Sequence, residues 1–137
     1  MSTACLTLEQ ADFDRLAAWL EDGSWVVACL CAAWCDTCNG YRGAFDALAA
    51  RHPDKHFVWI DIEDRADLVG DIDVENFPTL LIQRGDAVAF FGTVLPDARL
   101  AERLLQAQAE KSEADIRKQA SGQSEYDLRA RLADLQT

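Results

Sequence analysis

Positive charge is scarce in this chain: 13 Lys and Arg stand against 24 Asp and Glu, for a formal net charge of −11. Nucleic-acid binding requires a basic stripe, and none is present, which argues against that class. The same balance disfavours anionic membrane surfaces. No uninterrupted apolar run approaches the roughly 20 residues of a membrane span. The N-terminal Met1-Ser2-Thr3-Ala4-Cys5-Leu6 has neither a basic n-region nor a long apolar h-region, so no signal peptide is expected. The default compartment is then the reducing cytoplasm, where structural disulfides are uncommon. An even cysteine count is lacking too: the five cysteines cannot all pair within one chain. They read as redox, metal-binding or core residues, with Cys5 inert.

What is present suffices for one domain. Of 137 residues, 50% are hydrophobic, with four Trp and six Phe, enough to bury a core. The chain alternates between strand-like and helix-like patterns. Ala4 to Leu8 suits a short strand. Phe13, Leu16, Ala17 and Leu20 mark a helix that Asp22-Gly23-Ser24 stops. Residues 25–31 form a continuous apolar run, and 56–62 a second; both read as buried strands. Arg65 to Val74 carries a weaker helical pattern. Phe77-Pro78-Thr79 opens another strand, with proline at the edge position that strands tolerate. Arg84-Gly85-Asp86 turns that strand into a hairpin with 87–91, and Pro96-Asp97 opens a helix through Leu100, Leu104 and Leu105. The order β-α-β-α-β-α-β-β-α predicts an α/β fold: a central, mainly parallel mixed sheet with helices on both faces.

From about residue 109 the composition becomes polar, rich in Glu, Lys, Arg and Gln. Leu128, Leu132 and Leu135 leave a narrow apolar stripe. The expected division is therefore a domain at 1–109 and a polar helical extension at 110–137, read as an exposed tail.

Chemistry concentrates in Trp34-Cys35-Asp36-Thr37-Cys38. A strand feeds a helix across a C-x-x-C. The first cysteine lies where unpaired backbone N–H groups and the helix dipole favour a thiolate. The second is three residues on, on the same helical face, within reach for a disulfide. Cys35 and Cys38 are the candidate catalytic pair, Cys35 attacking and Cys38 resolving. Asp36 suits the dipole yet sets a negative charge beside the sulfur, which disfavours the thiolate and points towards a reductase. Thr37 offers a hydroxyl to a sulfur. Cys29 and Cys31, two apart on one strand face, read as small buried core residues. A metal or iron–sulfur site built from Cys29, Cys31, Cys35 and Cys38 is the sharper alternative, disfavoured because no matching second knuckle exists and strand thiols do not easily converge with Cys35. No metal and no cofactor are expected. Trp19, Trp25 and Trp59 read as core, His52 and His56 as solvated residues flanking a turn, and the acidic residues between Asp61 and Asp73 as a solvated face.

These motifs resemble the thioredoxin family over roughly residues 4–107, through Trp34 to Cys38 and through Phe77-Pro78-Thr79. The resemblance implies the thioredoxin fold, a cis Pro78 against the C-x-x-C, and a substrate groove lined by Trp34, Phe77, Pro78 and Thr79. It implies reduction of protein disulfides in cell redox homeostasis, with electrons from a reductase. The chain departs from the family pattern in its Asp36-Thr37 pair, where Gly-Pro is usual. It has Cys29 where a buried aspartate helps the second cysteine, and Trp59 near that aspartate's usual lysine partner. The proline that kinks the active-site helix is missing, with Gly40 and Gly43 in the same stretch. The competing reading is an adaptor or chaperone-like protein of the same fold that uses its tail to recruit a partner or a second copy, as a homodimer.

Overall fold

The computed structural model describes residues 5–32, 35–69, 79–85, 87–93, 98–111, 115–116 and 127–135. Its elements, in chain order, are β1 (Cys5–Thr7), a 3-10 turn (Gln10–Asp12), α1 (Phe13–Glu21), β2 (Trp25–Cys31), α2 (Asp36–Arg51) and β3 (His56–Asp61). There follow α3 (Ala66–Val69), β4 (Thr79–Arg84), β5 (Ala87–Thr93), α4 (Ala98–Ala109) and α5 (Leu128–Leu135). The five strands form one mixed sheet in the order β1-β3-β2-β4-β5. β1, β3 and β2 pair in parallel; β4 pairs antiparallel with β2, and β5 antiparallel with β4. The antiparallel half of the sheet thus begins at the centre, beside β2.

β2 explains the architecture. It pairs on both edges and is covered on both faces, so it must be apolar along its whole length, and Val26 to Cys31 are all buried. Alternation then divides its side chains. Val27, Cys29 and Cys31 face α2 and α4, in a core with Tyr41, Phe45, Leu48, Phe57, Trp59 and Leu105. Val26, Ala28 and Leu30 face the other layer, with Phe13, Leu16 and Leu20 of α1 and Leu68 and Val69 of α3. Gly85, at φ +61, makes the hairpin turn between β4 and β5, a conformation that costs a side-chain-bearing residue steric energy.

The last helix departs from the sequence expectation of an exposed tail. Leu128 and Leu132 of α5 are fully buried, packed in the core layer that contains α1 and α3. The reason is a polar anchor at its start. The buried amide of Gln83 on β4 donates to the Gly85 carbonyl at 2.8 Å and to Asp127 Oδ1 at 2.6 Å, and its Oε1 accepts the Leu128 N–H at 2.9 Å. Asp127 also caps the helix, accepting the N–H groups of Arg129 and Ala130. Arg131 donates to the Leu68 carbonyl at 3.2 Å. A polar segment with few apolar residues holds its place because each of its hydrogen-bonding contacts is specific.

Two smaller expectations also change. His52 is not simply solvated: its Nε2 is 2.8 Å from Glu102 Oε1, tying the end of α2 to α4. His56 is stacked on Trp19, with ring centroids 3.9 Å apart and planes within 5°.

Candidate redox site

α2 begins immediately after a chain reversal at the C-terminal end of β2. The Cys35 N–H donates to the Ala32 carbonyl at 3.0 Å, and the Cys35 carbonyl accepts the Asn39 N–H at 3.1 Å. Cys35 is the N-cap residue, with extended backbone angles of φ −89° and ψ 113°, and its side chain makes no cap hydrogen bond. Its sulfur is therefore available at a helix start, partly exposed and lying against the core. Asp36 and Thr37 occupy the first turn and are exposed. Cys38 lies on the inward face of α2 with Tyr41 and Phe45, and is fully buried.

Cys38 is joined by a disulfide to Cys31, with their Cα atoms 5.8 Å apart, while Cys35 keeps its thiol. Sequence spacing favours Cys35 as the partner of Cys38; in the structure the partner is the strand cysteine. Two periodicities converge to produce this. Every second residue of β2 points towards α2, and the residue three past the cap points back towards β2. Cys31 is accordingly more than a small core residue. The signal that would have exposed it is the C-x-C of Cys29 and Cys31 on the same strand face, at the end nearest the helix start.

Cys29 lies one pleat deeper, its Sγ 3.6 Å from that of Cys31. A disulfide sulfur carries no proton, so the Cys29 S–H is the donor in that contact. Cys29, Cys31 and Cys38 thus join in a buried chain of sulfur contacts, and Cys35, three residues before Cys38, is partly exposed. Among the described residues no group of three or more His, Cys, Asp or Glu side chains is arranged to hold a metal ion.

Thr79 is buried at the start of β4, opposite Leu30 of β2. Trp34, Phe77 and Pro78, the other expected groove residues, lie outside the described residues, as do Asp71 and Asp73 of the acidic face. Asp61 is used locally, its Oδ1 accepting the Glu63 and Asp64 N–H groups. No helix among the described residues is long and apolar enough to cross a membrane.

A partly exposed thiol at a helix start, three residues before a cysteine held in a disulfide, is an arrangement suited to a thiol–disulfide oxidoreductase. The thioredoxin family model matches residues 4–106, and the chain belongs to the thioredoxin family. A thioredoxin H-type of Brassica campestris is 30% identical over 83 residues, which cover 61% of this chain and 67% of the relative. Among solved structures, a poplar wild-type thioredoxin h superposes with a TM-score of 0.69 at 18% identity, covering 80% of this chain and 99% of the other. The thioredoxin f2 structure solved with ferredoxin:thioredoxin reductase gives a TM-score of 0.67 at 15% identity, covering 80% of this chain and 100% of the other. At such identities the structural matches establish the thioredoxin fold and nothing finer.

Proposed function

We propose that this chain is a thioredoxin-type reductase of protein disulfides, with Cys35 as nucleophile and Cys38 as resolving thiol. The observation that carries the reading is the partly exposed Cys35 thiol at the N-cap of α2, with Cys38 on the inward face of the same turn. In the reduced protein, the Cys35 thiolate attacks one sulfur of a substrate disulfide. That S–S bond breaks, a mixed disulfide forms, and the first substrate thiolate leaves and takes a proton. Cys38, as thiolate, then attacks Cys35 Sγ, closes a Cys35–Cys38 disulfide and releases the second substrate thiolate. Two electrons pass to the substrate, and an electron-donating reductase returns them. Trp34, Phe77, Pro78 and Thr79 would border the groove that receives the extended substrate; Asp36, Thr37 and Cys29 would modulate the sulfurs.

The chemistry is assigned to residues 1–109, working in the cytoplasm in cell redox homeostasis, with 110–137 as an accessory extension. The burial of Leu128 and Leu132 supports this over the adaptor reading, because these two leucines of the tail pack within the chain instead of facing a partner or a second copy.

Reduction of insulin with dithiothreitol as electron source tests the assignment. The expected result is turnover by wild type, none above background by Cys35→Ser, and an accumulating Cys35 mixed disulfide in Cys38→Ser. Equal rates for wild type and Cys35→Ser would refute it.

A further inference from the structure

Cys38 is one of three cysteines gathered where the end of β2 meets the start of α2. It is bonded to Cys31 on its inner side, and Cys35 stands three residues before it at the surface. We propose that Cys31 is a third redox-active cysteine, and that the oxidised protein moves its disulfide between an outer position, Cys35–Cys38, and an inner position, Cys31–Cys38. The proposal rests on the dithiol role of Cys35 and Cys38 and adds a step to it.

The step is a thiol–disulfide exchange within one chain. Cys31, as thiolate, attacks Cys38 Sγ; the Cys35–Cys38 bond breaks, and the Cys31–Cys38 bond forms. Cys35 leaves as a thiolate and takes up the proton that Cys31 gave up. One S–S bond is lost and one gained, so no oxidant or reductant is required. The reverse attack by Cys35 on Cys38 restores the outer pair. Cys29 favours both directions: its S–H, 3.6 Å from Cys31 Sγ, is positioned to donate to Cys31 when that sulfur carries negative charge.

Burial gives the inner position its consequence. Cys31 and Cys38 are 1% and 0% exposed, so an external thiol cannot reach their disulfide directly. Electrons can enter only through Cys35. With the inner pair closed, Cys35 is an accessible thiol with no resolving partner, able to form a mixed disulfide that persists until an external thiol attacks it. With both pairs open, the protein is a dithiol reductase. Cys31 thereby sets whether the oxidised protein presents a closed outer disulfide, which an external reductase must open, or an accessible Cys35 monothiol.

Disulfide mapping tests this on the full chain. Reduced wild type, Cys35→Ser and Cys31→Ala are oxidised with limiting diamide and quenched in acid. Free thiols are labelled with a light alkylating reagent and, after reduction, the remainder with a heavy one, and each site is read by tandem mass spectrometry. Native oxidised protein is also alkylated without reductant. The expected wild-type result is heavy label shared between Cys31 and Cys35, heavy label on Cys38 equal to the sum of the two, and alkylation of Cys35 in the native oxidised protein. Cys35→Ser should still close Cys31–Cys38. Cys31→Ala should close only Cys35–Cys38, and its oxidised form should resist alkylation. Wild type that never carries heavy label on Cys31, together with a Cys35→Ser protein that forms no internal disulfide, would overturn the exchange. If Cys31→Ala then closes the outer pair and reduces insulin, the dithiol reading survives alone. If it does neither, that reading falls and the exchange falls with it.

Discussion

The side-chain amide of Gln83 on β4 donates to Asp127 Oδ1 at 2.6 Å, 44 residues further along the chain, and so fastens the last helix to the middle of the sheet. The pair sits where α5 starts, and two leucines follow it into the core.

Replacing Gln83 with Ala removes one of the donors to Asp127 Oδ1, the acceptor of the Leu128 N–H and a buried amide together. The expected loss is about 1–3 kcal/mol. Leu132→Ala, which leaves a cavity against α1 and α3, should cost about 2–5 kcal/mol. Urea unfolding followed by Trp fluorescence measures both. A tail that contributes nothing to the fold would leave both midpoints at the wild-type value.

His56 carries a pH signature. Burial lowers its pKa from the ordinary 6.5, and the nearby Asp22 carboxylate opposes that only in part. The folded state therefore binds the proton less well than the unfolded chain. The stability linked to His56 is fully present above about pH 6.5 and is lost as the pH falls through the lower folded-state value. Urea midpoints measured between pH 7.5 and 5 should fall less steeply for His56→Phe, which keeps a ring against Trp19, than for wild type. Parallel curves would exclude the linkage.

Glu102 acts in a more acidic window. Burial raises its pKa, but the hydrogen bond and charge of His52, followed by those of Arg51, outweigh this and leave it lowered from 4.5. Its stabilising contribution is present above about pH 4.5 and is lost as the pH falls through the folded-state value. Glu102→Gln should therefore destabilise at pH 7 and cost less as the pH approaches 3, with thermal midpoints as the readout. A penalty that does not change with pH would mean that the His52 and Arg51 contacts carry no net charge energy.

Gly85 supplies the positive φ of the β4–β5 turn, and the room around it is ordinary: a Cβ there would meet its nearest atom, the Leu20 carbonyl oxygen, at 3.8 Å. The cost of Gly85→Ala is therefore conformational, about 1–2 kcal/mol. Gly85→Asn, which tolerates the left-handed region better, should recover part of it. Equal unfolding midpoints for the Ala and Asn variants would place the cost elsewhere.

Much of the fold was legible because local patterns and tertiary demands agree. The run at 25–31 is apolar at every position, which only a strand covered on both faces requires, and β2 occupies those residues. The helix of Phe13, Leu16 and Leu20 and the turn at Gly85 follow from spacing and chemistry that act over a few residues. The C-x-x-C was visible for the same reason, as a strand end, a cap and a helix start in sequence. Three features were not. The role of α5 depends on Gln83, a polar residue of β4 that is fully buried and bonds to Asp127, 44 residues further along the chain. The contact of His52 with Glu102 joins two helices distant in sequence. The disulfide of Cys38 depends on which of two sulfurs, one before it on its own helix and one across on β2, meets it in space.

Local sequence was enough to specify an α/β sheet with helices on both faces and a thiol at a helix start, because strand and helix periods, caps and turns are set by neighbouring residues. Tertiary packing added that Leu128 and Leu132 of the polar C-terminal segment belong to the core, and that the buried cysteine of β2 is the one bonded to Cys38. Both depend on contacts between residues far apart in the chain, where packing of the sheet against its helices brings specific side chains within bonding distance.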